Sequence, residues 1–435
     1  MSRSVALGIE QSQQPFRVVV ISGAYPPMKA GEADHCYRIA AQLVDRGVQV
    51  EVVTTAGSKL ADQERVRSEI RDWSWRDLPL LLWRVWKSKP HAVLLYYIGW
   101  IYNDHPMITF FPSLCKMVSR NTRVVTMFAY PMGSKAGGQA LLSRALRKAV
   151  QWGVGTQGVD YAYGTLLRDS DAVIVMSQRH QHMLSESDPS VAAKCTLVPP
   201  PPLLKMTTCT DQGTRSATRA QLGFSADQLV LVYFGLIYPP KGIETLLKAF
   251  RVVSRVCPQA RLLLVGGVVA HEYPDRPRFA EEMRAMPDRL GFGDKVVWTG
   301  EFETESDEAS RFLYASDMCV FSHDLGLYLN NSSFAAAAAH GLPVVATKAE
   351  MVESPFVEEV NVLWCAPKSP DEMAAAMLRV IDDPGLRRQL GEGARQLASN
   401  WFSWDAATDR TMALLQGRSA VGAREDKRVG EHQAV

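Results

Sequence analysis

Residues 16–55 read FRVVVISGAYPPMKAGEADHCYRIAAQLVDRGVQVEVVTT. Phe16-Arg17-Val18-Val19-Val20-Ile21-Ser22 is a short, β-branched apolar run of the kind that forms a buried strand. GAYPPMKAGEADH follows as a Gly- and Pro-rich loop, CYRIAAQLVDRG carries apolar residues at helical spacing, and VQVEVVTT returns to strand character. Strand, loop, helix and strand within about 40 residues make a βαβ unit, the building block of a parallel sheet.

The same alternation continues outward. Further strands are expected at Ala92–Tyr97, Arg123–Phe128 and Ala172–Met176. A second series opens with LVLVYFG (229–235) and runs through a helix at Ile243–Cys257, RLLLVGG (261–267), a helix at Phe279–Leu290, KVVWTG (295–300) and MCVFS (318–322). The fold class is therefore α/β, with two doubly wound, Rossmann-like halves facing across a cleft. A proline run, VPPPPLL (198–204), and the polar stretch Lys205–Ala220 are expected to form the linker, because consecutive prolines are stiff and cannot join a ladder. The expected division is a disordered lead at 1–15, a first domain at 16–204, a second at 205–400, a helix at 401–415 returning to the first, and a disordered tail at 416–435.

Composition narrows the function classes. The 435 residues carry 48 Lys plus Arg against 46 Asp plus Glu, a net charge of +2, so no nucleic-acid partner is expected. Seven cysteines are scattered without any Cys-x-x-Cys spacing, which fits reduced thiols and a cytoplasmic protein. The most apolar segment, Leu78–Trp100, is broken by Pro79, Arg84, Lys87, Lys89 and Pro90, and falls short of the roughly 20 apolar residues that span a bilayer.

Ligands of open parallel sheets bind at the carboxyl ends of strands, where loops and helix N-termini converge. Three such loops stand out: Gly23–Glu32, Gly235–Gly242, and the segment LNNSSFAAAAAHGLPVVAT (329–347). In the last, Asn330, Asn331, Ser332 and Ser333 are helix-capping residue types, and the alanines carry a slim helix that Gly341 ends. An exposed helix N-terminus favours a phosphate, so a packed helix with an ordinary cap and an anion cradle are both open from this stretch alone.

Taken in order along the chain, these motifs resemble the family 4 glycosyltransferases of the GT-B fold, from about Phe16 to Leu415. YPPMKAGEADH keeps Pro26, Pro27, Gly31 and His35 of the family's first loop. GLIYPPKG keeps Lys241 of its second, with Leu236 where an Arg usually stands. The family's usual Glu-x7-Glu pair is absent: Ala336 and Tyr328 occupy those places. Asp324, Gly326, Asn330–Ser333, His340 and Gly341 instead resemble a subset that lacks the pair.

The resemblance implies a retaining transferase that moves a sugar from a nucleoside-diphosphate sugar to a hydroxyl, in polysaccharide or glycoconjugate biosynthesis, with no metal or other cofactor. Lys241 and Asp324 are the expected catalytic residues, the first stabilising charge on the departing diphosphate and the second accepting from sugar hydroxyls. Gly31, Gly235, Asn330, Asn331, Ser332 and Ser333 are expected to bind the donor, and Glu32 and His35 to lie on the acceptor side. A glycan or lipid-linked acceptor is implied. The missing glutamates keep a second reading open, a catalytically degenerate nucleotide-sugar-binding or scaffold protein.

Residues 73–102, WSWRDLPLLLWRVWKSKPHAVLLYYIGWIY, interleave five tryptophans with Arg76, Arg84, Lys87 and Lys89. Trp and cations are the residue types of a membrane interface. Two readings stand: peripheral contact with the inner face of the membrane, or a core helix face formed by Trp83, Trp86 and their leucines.

Overall fold

The computed structural model describes residues 15–58, 64–129, 141–157, 159, 163–268, 278–303 and 305–418. All but the last residue of the expected lead, and all but the first residues of the expected tail, lie outside them. Two parallel sheets organise the chain. The first has the order β3-β2-β1-β4-β5-β6-β7, built from β1 (Arg17–Ile21), β2 (Gln49–Thr55), β3 (Val66–Ile70), β4 (Ala92–Tyr97), β5 (Arg123–Phe128), β6 (Ala172–Val175) and β7 (Cys195–Leu197). The second has the order β10-β9-β8-β11-β12-β13, from β8 (Leu229–Phe234), β9 (Ala260–Val265), β10 (Val296–Gly300), β11 (Met318–Phe321), β12 (Val344–Thr347) and β13 (Leu363–Cys365). Every pairing in the second sheet is parallel.

The helices of the first half are α1 (Gly31–Asp45), α2 (Leu78–Ser88), α3 (Phe111–Val118), α4 (Leu141–Val154), α5 (Leu166–Asp169) and α6 (Gln178–Ser187). Those of the second are α7 (Gln212–Gln221), α8 (Ile243–Val256), α9 (Phe279–Leu290), α10 (Glu308–Ala315), α11 (Ser332–Ala339), α12 (Pro370–Asp382), α13 (Pro384–Trp401) and α14 (Trp404–Leu415). The chain divides into two compact units, Met1–Met127, Met132–Val173 and Met412–Ser419 in one, Phe128–Pro131, Ile174–Thr411 and Ala420–Val435 in the other. The division falls within β6, so α6 counts with the second unit, while the last turn of α14 counts with the first, where Leu414 O accepts from Arg123 Nε at 2.7 Å.

Strand composition explains the layers. In β1, β4, β8 and β11 all or nearly all residues are buried, as expected of strands covered by helices on both faces. One face of the second sheet packs on α8, α9 and α12 through Phe250, Phe279 and Met377. The other packs on α10, α11 and α13, where Phe334 sits 5.1 Å from Phe356 and 5.6 Å from Phe402, ring centre to ring centre.

The linker departs from expectation. Val198–Pro202 joins no strand but is buried. Of the polar stretch expected to be free, residues 212–221 form α7, whose Arg219 is buried and pairs with Asp317 at 2.6 Å, as does Arg215. Asp317 also accepts from Val230 N at 2.8 Å, so α7 is tied to the start of β8 by charge and not by an apolar stripe.

Candidate functional site

In each sheet the strand order reverses at one place, between β1 and β4 in the first and between β8 and β11 in the second. Such a switch point opens a crevice at the carboxyl ends of the strands. The loops after β8 and β11 are therefore where topology alone places a ligand in the second unit, and they carry Gly235, Lys241, Asp324 and the Asn-Ser quartet.

These loops are stitched together by backbone. Gly242 adopts φ +65°, and a Cβ there would stand 1.9 Å from Ser322 O. Ser322 Oγ donates to Lys241 O at 2.8 Å, and Asp324 N donates to Pro240 O at 3.0 Å. Lys241 is half-buried, and its Nζ lies 5.2 Å from the centre of the Tyr238 ring. Desolvation lowers its pKa to about 8. His323, beside it, is buried and held neutral, its pKa pushed well down by burial and then by the Lys241 charge.

Asn331 caps α11, its Oδ1 accepting from Phe334 N at 2.9 Å while its Nδ2 lies 3.5 Å from His323 Nδ1. The alanines that follow are wholly buried, which lets the helix lie close to the sheet. Ser333 faces the loop after β8: a Cβ on Gly235, whose φ is +133°, would stand 2.7 Å from Ser333 Oγ. Asn330 points elsewhere, with Nδ2 3.3 Å from Nε2 of buried His180. The structure thus brings Gly235, Lys241, Asp324, Asn331 and Ser333 together on the loops at the switch point, with Ser332 the first residue of α11 beside them, so that an ammonium, hydroxyls and the N-terminus of a helix share one region. What such a grouping can do is hold a phosphate.

Gly31, Glu32 and His35 lie in the first unit at the start of α1, after the loop that leaves β1. Gly31 is exposed and Glu32 half-buried. His35 is buried, with Nδ1 3.3 Å from Tyr96 Oη, and burial lowers its pKa to about 4. Its described contacts are with the core of that unit. Trp73 and Trp75 are also buried, whereas Trp83 is 43% and Trp86 56% exposed. Trp83 and Trp86 are therefore not the core face of α2, which is made by Leu81 and Val85. Arg84 pairs with Glu69, and Lys87 Nζ stands 4.8 Å from the centre of the Trp83 ring.

Sequence reasoning missed His323 and Glu353. The first was legible as a His next to Asp324, at the end of a buried strand. The second was a lone Glu in a loop, with no local signal. Among the described residues no group of three or more His, Cys, Asp or Glu is arranged to hold a metal ion, and no helix is long and apolar enough to cross a membrane.

Residues 228–383 match the family model of the glycosyl transferases group 1. The D-inositol 3-phosphate glycosyltransferase of Segniliparus rotundus is 27% identical over 261 residues, 60% of this chain and 55% of that protein. The lipopolysaccharide core biosynthesis glycosyltransferase LpsD of Rhizobium meliloti is 32% identical over 199 residues, 45% of this chain and 52% of its own length. The matched regions thus span about half the length of these relatives. Among solved structures, Anabaena Alr3699/HepE in complex with UDP and glucose has a TM-score of 0.67 at 17% identity, covering 92% of this chain and 100% of that one. At that identity the likeness shows the fold, two Rossmann-like units on one chain in the GT-B architecture.

Proposed function

We propose that this chain is a retaining glycosyltransferase that moves a sugar from a nucleoside-diphosphate sugar to a hydroxyl of a glycan or lipid-linked acceptor, without a resident metal. The observation that carries the reading is the packing of Ser333 against Gly235 beside Lys241, a small-residue cradle with one desolvated cation at the switch point of the second sheet. The relatives named as glycosyltransferases, and the neighbour solved with UDP and glucose, support the donor class.

Chemically, the step needs stabilisation of the charge that develops on the leaving diphosphate. Fixed donors in a site of low dielectric supply it without reorganising during the reaction. Lys241 provides the cation, and Ser332, Ser333 and the free N–H groups of the first turn of α11 provide the donors. We assign to Asp324, fixed to Pro240 by its own backbone, the role of accepting from donor-sugar hydroxyls. His323 stays neutral and holds Asn331 in its capping position.

The exposed aromatic and basic face of α2 supports peripheral contact with an anionic membrane, where a lipid-linked acceptor would be met. A second reading, a binding protein without turnover, is favoured by Ala336 and Tyr328 standing in place of the glutamates. One experiment separates the two. The protein is incubated with a panel of UDP- and GDP-sugars, and nucleotide release and binding are measured in parallel. Turnover of any donor supports the transferase, tight binding with none supports the scaffold, and neither removes the cradle.

A further inference from the structure

Glu353, on the loop after β12, has a relative exposure of 0%. Its Oε2 accepts from Leu329 N at 2.5 Å and its Oε1 from Arg179 N at 2.8 Å, 24 and 174 residues away in sequence. Burial raises its pKa, and backbone hydrogen bonds from Leu329, Arg179 and Gln178 oppose that rise. A carboxylate kept out of water is a costly choice for stability alone, because a neutral residue of similar volume often serves as well. Its two anchor points say where it acts. Arg179 is in the first turn of α6, and Leu329 stands two residues before Asn331, the cap of α11.

The neighbouring contacts run along the same seam. Gln178 Oε1 accepts from Ser354 N at 3.2 Å, the Arg179 guanidinium lies 5.0 Å from the centre of the Tyr328 ring, and Asn330 Nδ2 is 3.3 Å from His180 Nε2. Three successive residues at the start of α6 therefore meet either the loop at 353–354 or the segment 328–330. That segment is the backbone on which the cradle is mounted.

We infer that Glu353 is a positioning residue: it fastens Leu329, and through it the Asn331–Ser333 cradle, to the first turn of α6, so that filling the cradle orders α6. The inference rests on the reading of the cradle as a diphosphate site. It predicts a response in a helix that supplies no residue to the proposed diphosphate contact, which a purely structural role for Glu353 would not.

The test uses the full chain with UDP and GDP as probes. Hydrogen exchange is followed in peptides covering 177–182 and 327–331, and affinity is measured by calorimetry, for wild type and Glu353→Gln. In wild type, nucleotide is expected to slow exchange in both segments. In Glu353→Gln, which turns an amide NH2 toward one of the two N–H donors, affinity is expected to fall about ten- to hundredfold, the scale of losing a hydrogen bond to a charged group. The slowing at 177–182 is expected to disappear. Unchanged affinity in Glu353→Gln, or no slowing at 177–182 in wild type that binds nucleotide, overturns the inference and leaves the donor reading standing. Wild type that binds neither nucleotide overturns the donor reading and the inference with it. Should Glu353→Gln not fold, the wild-type exchange data decide.

Discussion

Replacing Gly242 by Ala tests how tightly Lys241 is held. The substitution has two separable costs. The first is conformational: φ is +65°, and a residue with a Cβ in the left-handed region costs roughly 1–2 kcal/mol. The second is steric. The new Cβ would stand 1.9 Å from Ser322 O, whereas real Cβ atoms keep at least 3.0 Å. The atom in the way is backbone and cannot rotate aside, so the two loops must part by more than about 1 Å, at an overpacking cost of roughly 1–3 kcal/mol. Gly291→Ala in the same unit isolates the first cost, because Gly291 has φ +81° and a Cβ there would meet nothing within 4 Å. Urea unfolding is expected to show Gly242→Ala less stable than Gly291→Ala by about 1–3 kcal/mol. Parting the loops moves Lys241 relative to Asp324, and a misplacement of this size costs about 10²-fold in a positioned site. Calorimetry with UDP and GDP should therefore show binding lost in Gly242→Ala and kept in Gly291→Ala. Equal behaviour of the two variants in both assays would refute the claim that this contact sets the position of Lys241.

Lys241→Ala is expected to lower turnover by roughly 10²–10³, and wild-type donor affinity to depend on pH. Since desolvation holds the free lysine's pKa at about 8 and a diphosphate binds the charged form, affinity should be full below that pH and decline above it, a trend that Lys241→Ala abolishes in a pH series of binding curves. Ser333→Leu fills the space that Gly235 keeps open and should prevent nucleotide binding in a thermal-shift titration while the circular dichroism spectrum stays native. Arg219→Met leaves Asp317 without one of its two arginines and should cost about 3 kcal/mol in urea unfolding, with donor selectivity unchanged. Vesicles rich in anionic lipid should co-sediment the protein, and Trp86→Ser combined with Lys87→Glu should release it; binding to neutral vesicles alone, or binding that survives both substitutions, would remove α2 from consideration.

The parts of the fold legible in the sequence were those with one dominant physical cause. Runs such as Val18–Ile21 and Leu229–Phe234 are apolar throughout because helices cover both faces, and β1 and β8 begin at or within a residue of those runs. Asn331 is a cap by residue type, and it is the residue that caps α11. β3, Val66–Ile70, escaped notice because it pairs only with β2 and leaves most of its side chains partly exposed, so VRSEI lacks an apolar pattern. α7 escaped for another reason: QGTRSATRAQ reads as a polar linker, and what holds it is a pair of arginines reaching Asp317 about 100 residues away. Of the site, the loops after β8 and β11 were legible through their glycines and caps. Glu353 was not, since its significance comes from contacts with Leu329 and Arg179 that only the folded chain creates.

The alanine run of α11 also bears on which substitutions the chain can absorb. Ala336 is 0% exposed, on a helix packed against Phe321, Phe356 and Phe402. Ala336→Glu would bury a carboxylate in an aromatic core, at a cost of several kcal/mol unless the group stays protonated. The position is thus closed to an acid by its neighbours. Room for substitution lies at the solvent-facing Leu236 and Leu325, 45% and 63% exposed, with very little inside the helix.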